Sequence, residues 1–365
     1  ILYLDTKPSV IATVINDVVY DQRMIRICTS LSEEYEVSLW GRKKSVSRTV
    51  DRNFKQRRFS FIINKGPLFY LLYNVRVFFA LLFSRFDIVH AVDLDTLPAG
   101  FFASKLKGKK LVYDSHEYFT EVPELISRPK KRNMWLKIER ALVPDVQHAI
   151  TVGQHIAAAY KDKYGVNFKV VRNCPVLVEM PKPSEHEKYI LYQGALNAGR
   201  GLEALIEAMA SLPIKLKIAG SGDLDEKLKE LTHKYNVTDK VEFLGMLSPS
   251  ELPPLTVNAF AGVNVSENLG LSYYYSLNNK YFDYIHAAIP AVTNPFPEYQ
   301  MLNEKNNCCV FATAKSEEIV NAVNLLLDDE ELYSSLKKNC LIARQKLNWG
   351  IEKKELLNLY ENIAK

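Results

Sequence analysis

The stretch ENLGLSYYYSLNNKYFDYIHAAIPAVTNP, Glu267 to Pro295, changes character twice along its length. It reads as a loop rich in Gly, Ser and Tyr, a short helix opening near Ser276 to Asn279, and a Pro-punctuated apolar strand from Ile289 to Thr293. Helix N-termini leave backbone N–H groups unpaired and carry partial positive charge, so a polar loop feeding one is a candidate anion site. Lys280 adds a full charge there. Asp283 follows one turn later on roughly the same face, where it can accept hydrogen bonds from sugar hydroxyls. The alternative is an Asn-capped surface helix whose Lys280 and Asp283 form a weak i,i+3 pair.

Working outward, the same alternation recurs. Strand Tyr189 to Tyr192 runs into Gln193-Gly194 and a helix from Gly201 to Ser211. Strand Lys215 to Ala219 runs into Gly220-Ser221-Gly222-Asp223 and a helix from Leu224 to Tyr235; strands Val241 to Leu244 and Ala259 to Val265 follow. Upstream lies a second set. Ser9 to Ile15 is a β-branched strand followed by the turn that contains Asn16-Asp17, then a helix from Gln22 to Leu31 and a strand from Glu36 to Trp40. A strand is expected from Arg58 to Ile63, another at Ile88 to Ala91 ending in Asp93-Leu94-Asp95, and another at Lys110 to Tyr113 ending in Asp114-Ser115-His116-Glu117. Both acidic clusters fall at carboxyl ends of strands, the edge where ligands collect in open parallel sheets. The basic residues 128–132 are expected in a loop leading to a helix around Trp135 to Leu142. Residues 173–187 hold three prolines and little periodicity, which sets a linker between two α/β halves.

Composition narrows the classes. A chain of 365 residues suits two domains, and 47% hydrophobic with 24% charged residues describes a globular protein. The net charge of +5 suits anionic ligands or an anionic surface, but the basic residues are scattered without a nucleic-acid recognition motif, so nucleic acid is not an expected partner. Five cysteines, at 28, 174, 308, 309 and 340, show no CxxC and no metal-like spacing with His, as expected of a reducing compartment. The run Pro67 to Ser84 is broken by Asn74 and Arg76; a buried or half-buried helix is expected, with a membrane-surface helix as the alternative. The expected location is the cytoplasm, with the inner face of the membrane as a further address.

Four blocks in the second half, Leu191 to Met209, Leu216 to Asp223, Val241 to Leu252 and Asn279 to Val292, together resemble the donor lobe of the family 4 (group 1) glycosyltransferases, retaining enzymes of the GT-B fold. The first half is similar to the acceptor lobe of that family through DQRMIRICTSL, HAVDLDTLPAG, LVYDSHEYF and ITVGQHIAAAY. The resemblance implies two Rossmann-like, doubly wound parallel-sheet lobes facing a cleft. Residues 1–175 form the acceptor lobe, 186–345 the donor lobe, and 350–365 a helix that packs back on the first.

The resemblance also implies roles. Arg200, Gly201 and Lys280 contact the donor's diphosphate, Asp283 takes the ribose hydroxyls where the family has Glu, and His116 lies beside the donor sugar. Catalytic duties fall to His116, Arg200 and Lys280. Gly194, Gly220, Gly222, Ser276, Asn279 and Glu267 complete the donor side, and Asn16, Asp17, Asp93 and Asp95 the acceptor side. Three positions depart from the family: Tyr275 where a second Glu is usual, Ala195 where an Arg is usual, and Asn16-Asp17 in place of a glycine-rich turn.

The expected activity is retaining transfer of a hexose-type sugar from a UDP- or GDP-sugar to a glycan or lipid-linked hydroxyl, in glycan or cell-surface polysaccharide biosynthesis. It would proceed by front-face displacement, with no metal and no further cofactor. Peripheral membrane contact is expected through the basic acceptor lobe. A sugar-nucleotide epimerase of the same fold and an inert nucleotide-sugar-binding module are the competing expectations.

Overall fold

Strands whose side chains are apolar on both sides can be satisfied only if helices cover both faces of the sheet they join. Ile88–Val92 and Tyr189–Gln193 are such strands, buried along their whole length. The computed structural model describes residues 7–19, 21–44, 50–184 and 187–364 and divides the chain into two units, Ile1–Arg172 with Glu352–Lys365, and Asn173–Ile351.

In the first unit seven strands form one sheet: β1 (Ser9–Thr13), β2 (Glu36–Arg42), β3 (Lys55–Phe59), β4 (Ile88–Val92), β5 (Lys110–Ser115), β6 (His148–Thr151) and β7 (Phe168–Val170). Their order is β3-β2-β1-β4-β5-β6-β7, with every neighbour parallel. In the second unit, β8 (Tyr189–Gln193), β9 (Lys215–Ala219), β10 (Val241–Gly245), β11 (Ala261–Asn264), β12 (Ala291–Thr293) and β13 (Cys309–Phe311) pair, again all parallel, in the order β10-β9-β8-β11-β12-β13. Both orders reverse direction once, between β1 and β4 and between β8 and β11. That is the doubly wound pattern, and the crevice at its switch point is where such sheets bind ligands.

Packing sets the site-bearing helix Asn279–His286 in the second unit. It buries Tyr281, Phe282, Tyr284 and Ile285. The Tyr284 hydroxyl donates to the Leu191 and Val263 carbonyls at 3.1 and 3.2 Å. The ring lies so close to β11 that a Cβ on Gly262 would sit 2.3 Å from it, so only glycine fits there. From Glu352 onward the C-terminal helix Trp349–Ala364 belongs to the first unit, to which it contributes Tyr360, fully buried, and Glu352, whose Oε2 accepts from the Arg172 backbone N–H at 2.7 Å.

Several elements differ from their sequence-based expectation. The strand expected from Arg58 to Ile63 is Lys55–Phe59, paired with Ser38–Arg42 at the sheet edge. The basic residues Lys130 to Arg132 lie inside a helix, Pro129–Leu142, because Pro129 at its first position pre-sets the helical φ. The loop ahead of Ser276 contains one helical turn, Leu271–Tyr274. The apolar run forms the helix Gly66–Leu82, and among the described residues no helix is long and apolar enough to cross a membrane.

Candidate nucleotide-diphosphate site

The carboxyl ends of β8 and β9 in the second unit turn on glycines. Gly220 has φ +153°, and a Cβ there would lie 1.8 Å from the Gly194 carbonyl oxygen. The two backbones thus meet with no room for a side chain. Gly201 has φ +67° and opens the helix Leu202–Ala208; a Cβ would come within 3.0 Å of the Val265 carbonyl. Gly222 is held against Leu196 and Asn197, and its N–H donates to Asp225 Oδ1 at 2.7 Å.

These turns border a pocket of about 370 Å³. Gly194, Ala195, Gly220 and Ser221 supply backbone, Arg200, Asn278, Asn279, Lys280 and Asp283 supply polar side chains, and Met246, Leu247 and Leu252 supply an apolar side. Gly201, Gly222, Glu267 and Ser276 are not among its lining residues. Glu267 is exposed, with its N–H donating to the Gly199 carbonyl at 2.9 Å. Ser276 is half-buried one turn before the helix.

Lys280 is the unusual member. Its side chain is buried at 6% exposure, and Nζ has no hydrogen-bond partner. The ammonium lies 3.6 Å from the centroid of the Tyr192 ring, a cation–π contact. Burial, and after it the charge of Arg200, hold its pKa well below the ordinary lysine value. Arg200 donates from Nη1 to Asn278 Oδ1 at 3.3 Å and lies over the Tyr273 ring at 4.7 Å. Two cations thus converge on a pocket that no carboxylate neutralises at Lys280 Nζ. Asp283 is oriented by Gln193, whose Nε2 donates to Oδ2 at 2.8 Å; Gln193 Oε1 in turn accepts from Thr256 Oγ1 at 2.9 Å.

In the first unit, His116 follows β5 and Asp93 follows β4. The His116 backbone N–H donates to Asp93 Oδ1 at 2.8 Å, and its ring bridges Asp114 Oδ2 (Nε2, 3.1 Å) and Asp93 Oδ2 (Nδ1, 3.7 Å). Burial alone would lower the imidazole's pKa, but Asp114 and then Asp93 outweigh it and raise it to about 9. Asp114 is fully buried and accepts from Arg23 Nη2 and Nε at 2.9 and 3.2 Å and from His90 Nε2 at 3.2 Å. Burial would raise its pKa; Arg23 and His116 hold it well below the carboxylate range. His90 Nδ1 meets the Tyr360 hydroxyl at 2.6 Å. Because the ionised carboxylate can only accept, His90 Nε2 is the donor to Asp114.

Asp95 is buried with Oδ1 unpartnered, and desolvation followed by Asp93 raises its pKa well above the usual value. Asn16 is exposed beyond β1. Asp17 is turned inward, accepting from the Val19 and Lys44 backbone N–H groups and pairing with Arg58 at 3.1 Å. Among the described residues no group of three or more His, Cys, Asp or Glu is arranged to hold a metal, and the five cysteines are buried and unbridged.

Two Rossmann-like domains, one carrying a glycine-turned pocket with convergent cations, define the GT-B class of protein. Comparison with known proteins agrees. The family model for glycosyl transferases group 1 matches residues 179–341, and that for glycosyltransferase family 4 matches residues 22–174. The chain belongs to the group 1 and family 4 glycosyltransferases. An uncharacterized glycosyltransferase, MJ1607 of Methanocaldococcus jannaschii, is 39% identical over 79 residues, 20% of each chain. The alpha-monoglucosyldiacylglycerol synthase of Streptococcus pneumoniae is 32% identical over 98 residues, 25% of this chain and 22% of that protein. The matched segments span about a fifth of each of these curated relatives. The crystal structure of Anabaena Alr3699/HepE in complex with UDP and glucose superposes with a TM-score of 0.78 at 15% identity, covering 97% of this chain and 99% of that one.

Proposed function

We propose that the chain is a retaining glycosyltransferase that moves a hexose-type sugar from a nucleoside-diphosphate sugar to a hydroxyl of a glycan or lipid-linked acceptor, without a metal. The observation that carries this is the buried, unpartnered Lys280 ammonium beside Arg200 in the pocket of the second unit. A protein keeps such a charge desolvated at a cost in stability, and an anionic ligand offsets that cost. The domain roles follow: 186–345 holds the donor and 1–175 the acceptor.

In this reading the diphosphate lies across Gly194, Gly220 and the start of the helix Asn279–His286, beside Asn279, while Gly201 and Gly222 shape the turns behind the pocket. Asp283, oriented by Gln193, takes the ribose hydroxyls. As the anomeric C–O bond breaks, the leaving diphosphate gains charge. Arg200 and Lys280 stabilise it, at roughly 3 kcal/mol per well-placed donor in comparable oxyanion sites. The acceptor hydroxyl attacks from the same face and passes its proton to the departing phosphate oxygen, so atoms balance without an enzyme nucleophile. His116 is assigned to the transferred sugar, and Asn16, Asp17, Asp93 and Asp95 to the acceptor side. The relatives support this class of donor and acceptor: the HepE structure is a complex with UDP and glucose, and the pneumococcal relative is an alpha-monoglucosyldiacylglycerol synthase.

The test is nucleoside diphosphate release across UDP- and GDP-sugars with candidate acceptors, with Asp283→Ala as control. Release that requires both donor and acceptor, and falls at least tenfold in Asp283→Ala, supports the proposal. Donor conversion to a second sugar nucleotide without release assigns an epimerase, and tight binding with no turnover assigns an inert module; either result overturns it.

A further inference from the structure

The helix Gly66–Leu82 is apolar on both of its faces. Phe69, Tyr73, Val77 and Leu81, spaced i, i+4, are buried against the first unit. The opposite face carries Leu68, Leu71, Leu72, Val75, Phe79 and Phe83, all exposed, with Leu71 at 60% and Phe83 at 89%. At 100° per residue these six fall within about a 120° stripe centred opposite the buried one. A surface helix facing only water carries polar residues there; a contiguous apolar stripe of this kind marks an interaction site.

The stripe's surroundings select the partner. From Arg52 to Phe86 the sequence contains seven Lys and Arg and no Asp or Glu. Lys65 and Arg85, both exposed, flank the two ends of the helix, about 26 Å apart at 1.5 Å per residue. Ile62, fully exposed, precedes it. Lys107 of the neighbouring helix Asp93–Lys107 donates from Nζ to the Leu82 and Ser84 carbonyls at 3.1 and 2.5 Å, which brings the exposed Leu106 to the same end. The helix, 17 residues with Arg76 within it, is too short and too charged to span a bilayer.

We propose that this helix is a membrane-docking element: it lies in the interface of an anionic lipid bilayer, with Leu71, Val75, Phe79 and Phe83 among the acyl chains and Lys65 and Arg85 on lipid phosphates. The apolar stripe supplies the insertion and the carboxylate-free cationic frame supplies selectivity for anionic lipid, a two-part anchor that binds peripherally and reversibly. The proposal adds a partner for the first unit and stands independently of sugar transfer.

The test is co-sedimentation of the full chain with vesicles of phosphatidylglycerol and phosphatidylcholine, and with phosphatidylcholine alone, without sugar nucleotide. The chain is expected to partition at least tenfold better onto the anionic vesicles, and increasing salt is expected to weaken the binding. Leu71→Gln with Phe79→Gln, and separately Lys65→Glu with Arg85→Glu, should each lower that partition at least tenfold. Nucleoside diphosphate binding, read on the same variants, reports that they are folded and keeps failure here distinct from failure of the transferase proposal. No partition onto anionic vesicles, or partition unchanged in the Leu71 and Phe79 variant, overturns the proposal. So does a concentration-dependent dimer that this variant dissolves, because it assigns the stripe to a second copy of the chain.

Discussion

Replacing Lys280 with Met should make the ligand-free protein more stable and its nucleotide binding weaker. The ammonium is 6% exposed, has no hydrogen-bond partner, and rests 3.6 Å from the Tyr192 ring centroid with Arg200 as the next charge. A thioether of similar length fills the same space without the desolvation penalty. Exchanges of buried charge for apolar groups are neutral to stabilising by about 1–4 kcal/mol. The diphosphate loses one charge-assisted hydrogen bond, about 1.5–3 kcal/mol, which is roughly a ten- to 150-fold weaker Kd. Linkage adds a signature. A lysine whose folded pKa is depressed binds fewer protons in the native state than in the unfolded chain. The wild type therefore gains stability as pH rises from that depressed value to the unfolded value near 10.4, and the Met variant lacks this gain. Urea denaturation against pH and titration calorimetry with UDP and GDP read all of these. A Met variant that is less stable and binds either nucleotide as tightly as wild type would refute the reasoning.

Two further substitutions probe the scaffold. Gly220→Ala places a Cβ 1.8 Å from the Gly194 carbonyl at φ +153° and should cost about 3 kcal/mol from strain and overpacking, whereas Gly245→Ala, at φ +67° with open space around it, should cost about 1 kcal/mol; urea midpoints compare them. Asp114→Asn leaves the Arg23 guanidinium buried without its carboxylate and should cost about 3–5 kcal/mol. The same change removes the main cause of the raised His116 pKa. In the wild type that contribution is complete below about pH 6.5 and is lost as pH rises through about 9, so the variant's stability should vary less across this window. Asp114's own depressed pKa contributes stability above the ordinary carboxylate range that disappears in acid, and the variant lacks that too. Fluorescence-monitored unfolding between about pH 2 and pH 10 checks both limbs, since two of the three tryptophans, Trp40 and Trp135, lie in the first unit.

What could be read from the chain alone was whatever local pattern carries. Parallel strands covered on both faces must be apolar throughout, so β1, β4, β8 and β11 stood out as short runs, and the two α/β halves with them. Lys280 and Asp283 were nameable because one helix start carries both, and Arg200 through the resemblance of its block to the family. Elements whose signal is a single residue's geometry are harder: Pro129 opens its helix at the second residue of the segment 128–132 that reads as a basic loop, and the helix Glu330–Ala343 escapes the reading although Leu332, Leu336, Cys340 and Ala343 follow helical spacing. Contacts between distant segments had no local signature at all. Asp114 gathers Arg23 from 91 residues away, and His90 reaches Tyr360 across 270 residues. Asp17 is held by Arg58, 41 residues on. Gln193 orients Asp283, and Tyr192 lies under Lys280, because β8 and the helix Asn279–His286 pack together through Tyr284. Periodicity reports which face of an element is covered, not what covers it; burial and charge pairing at a site depend on the covering partner, and only the tertiary structure supplies it.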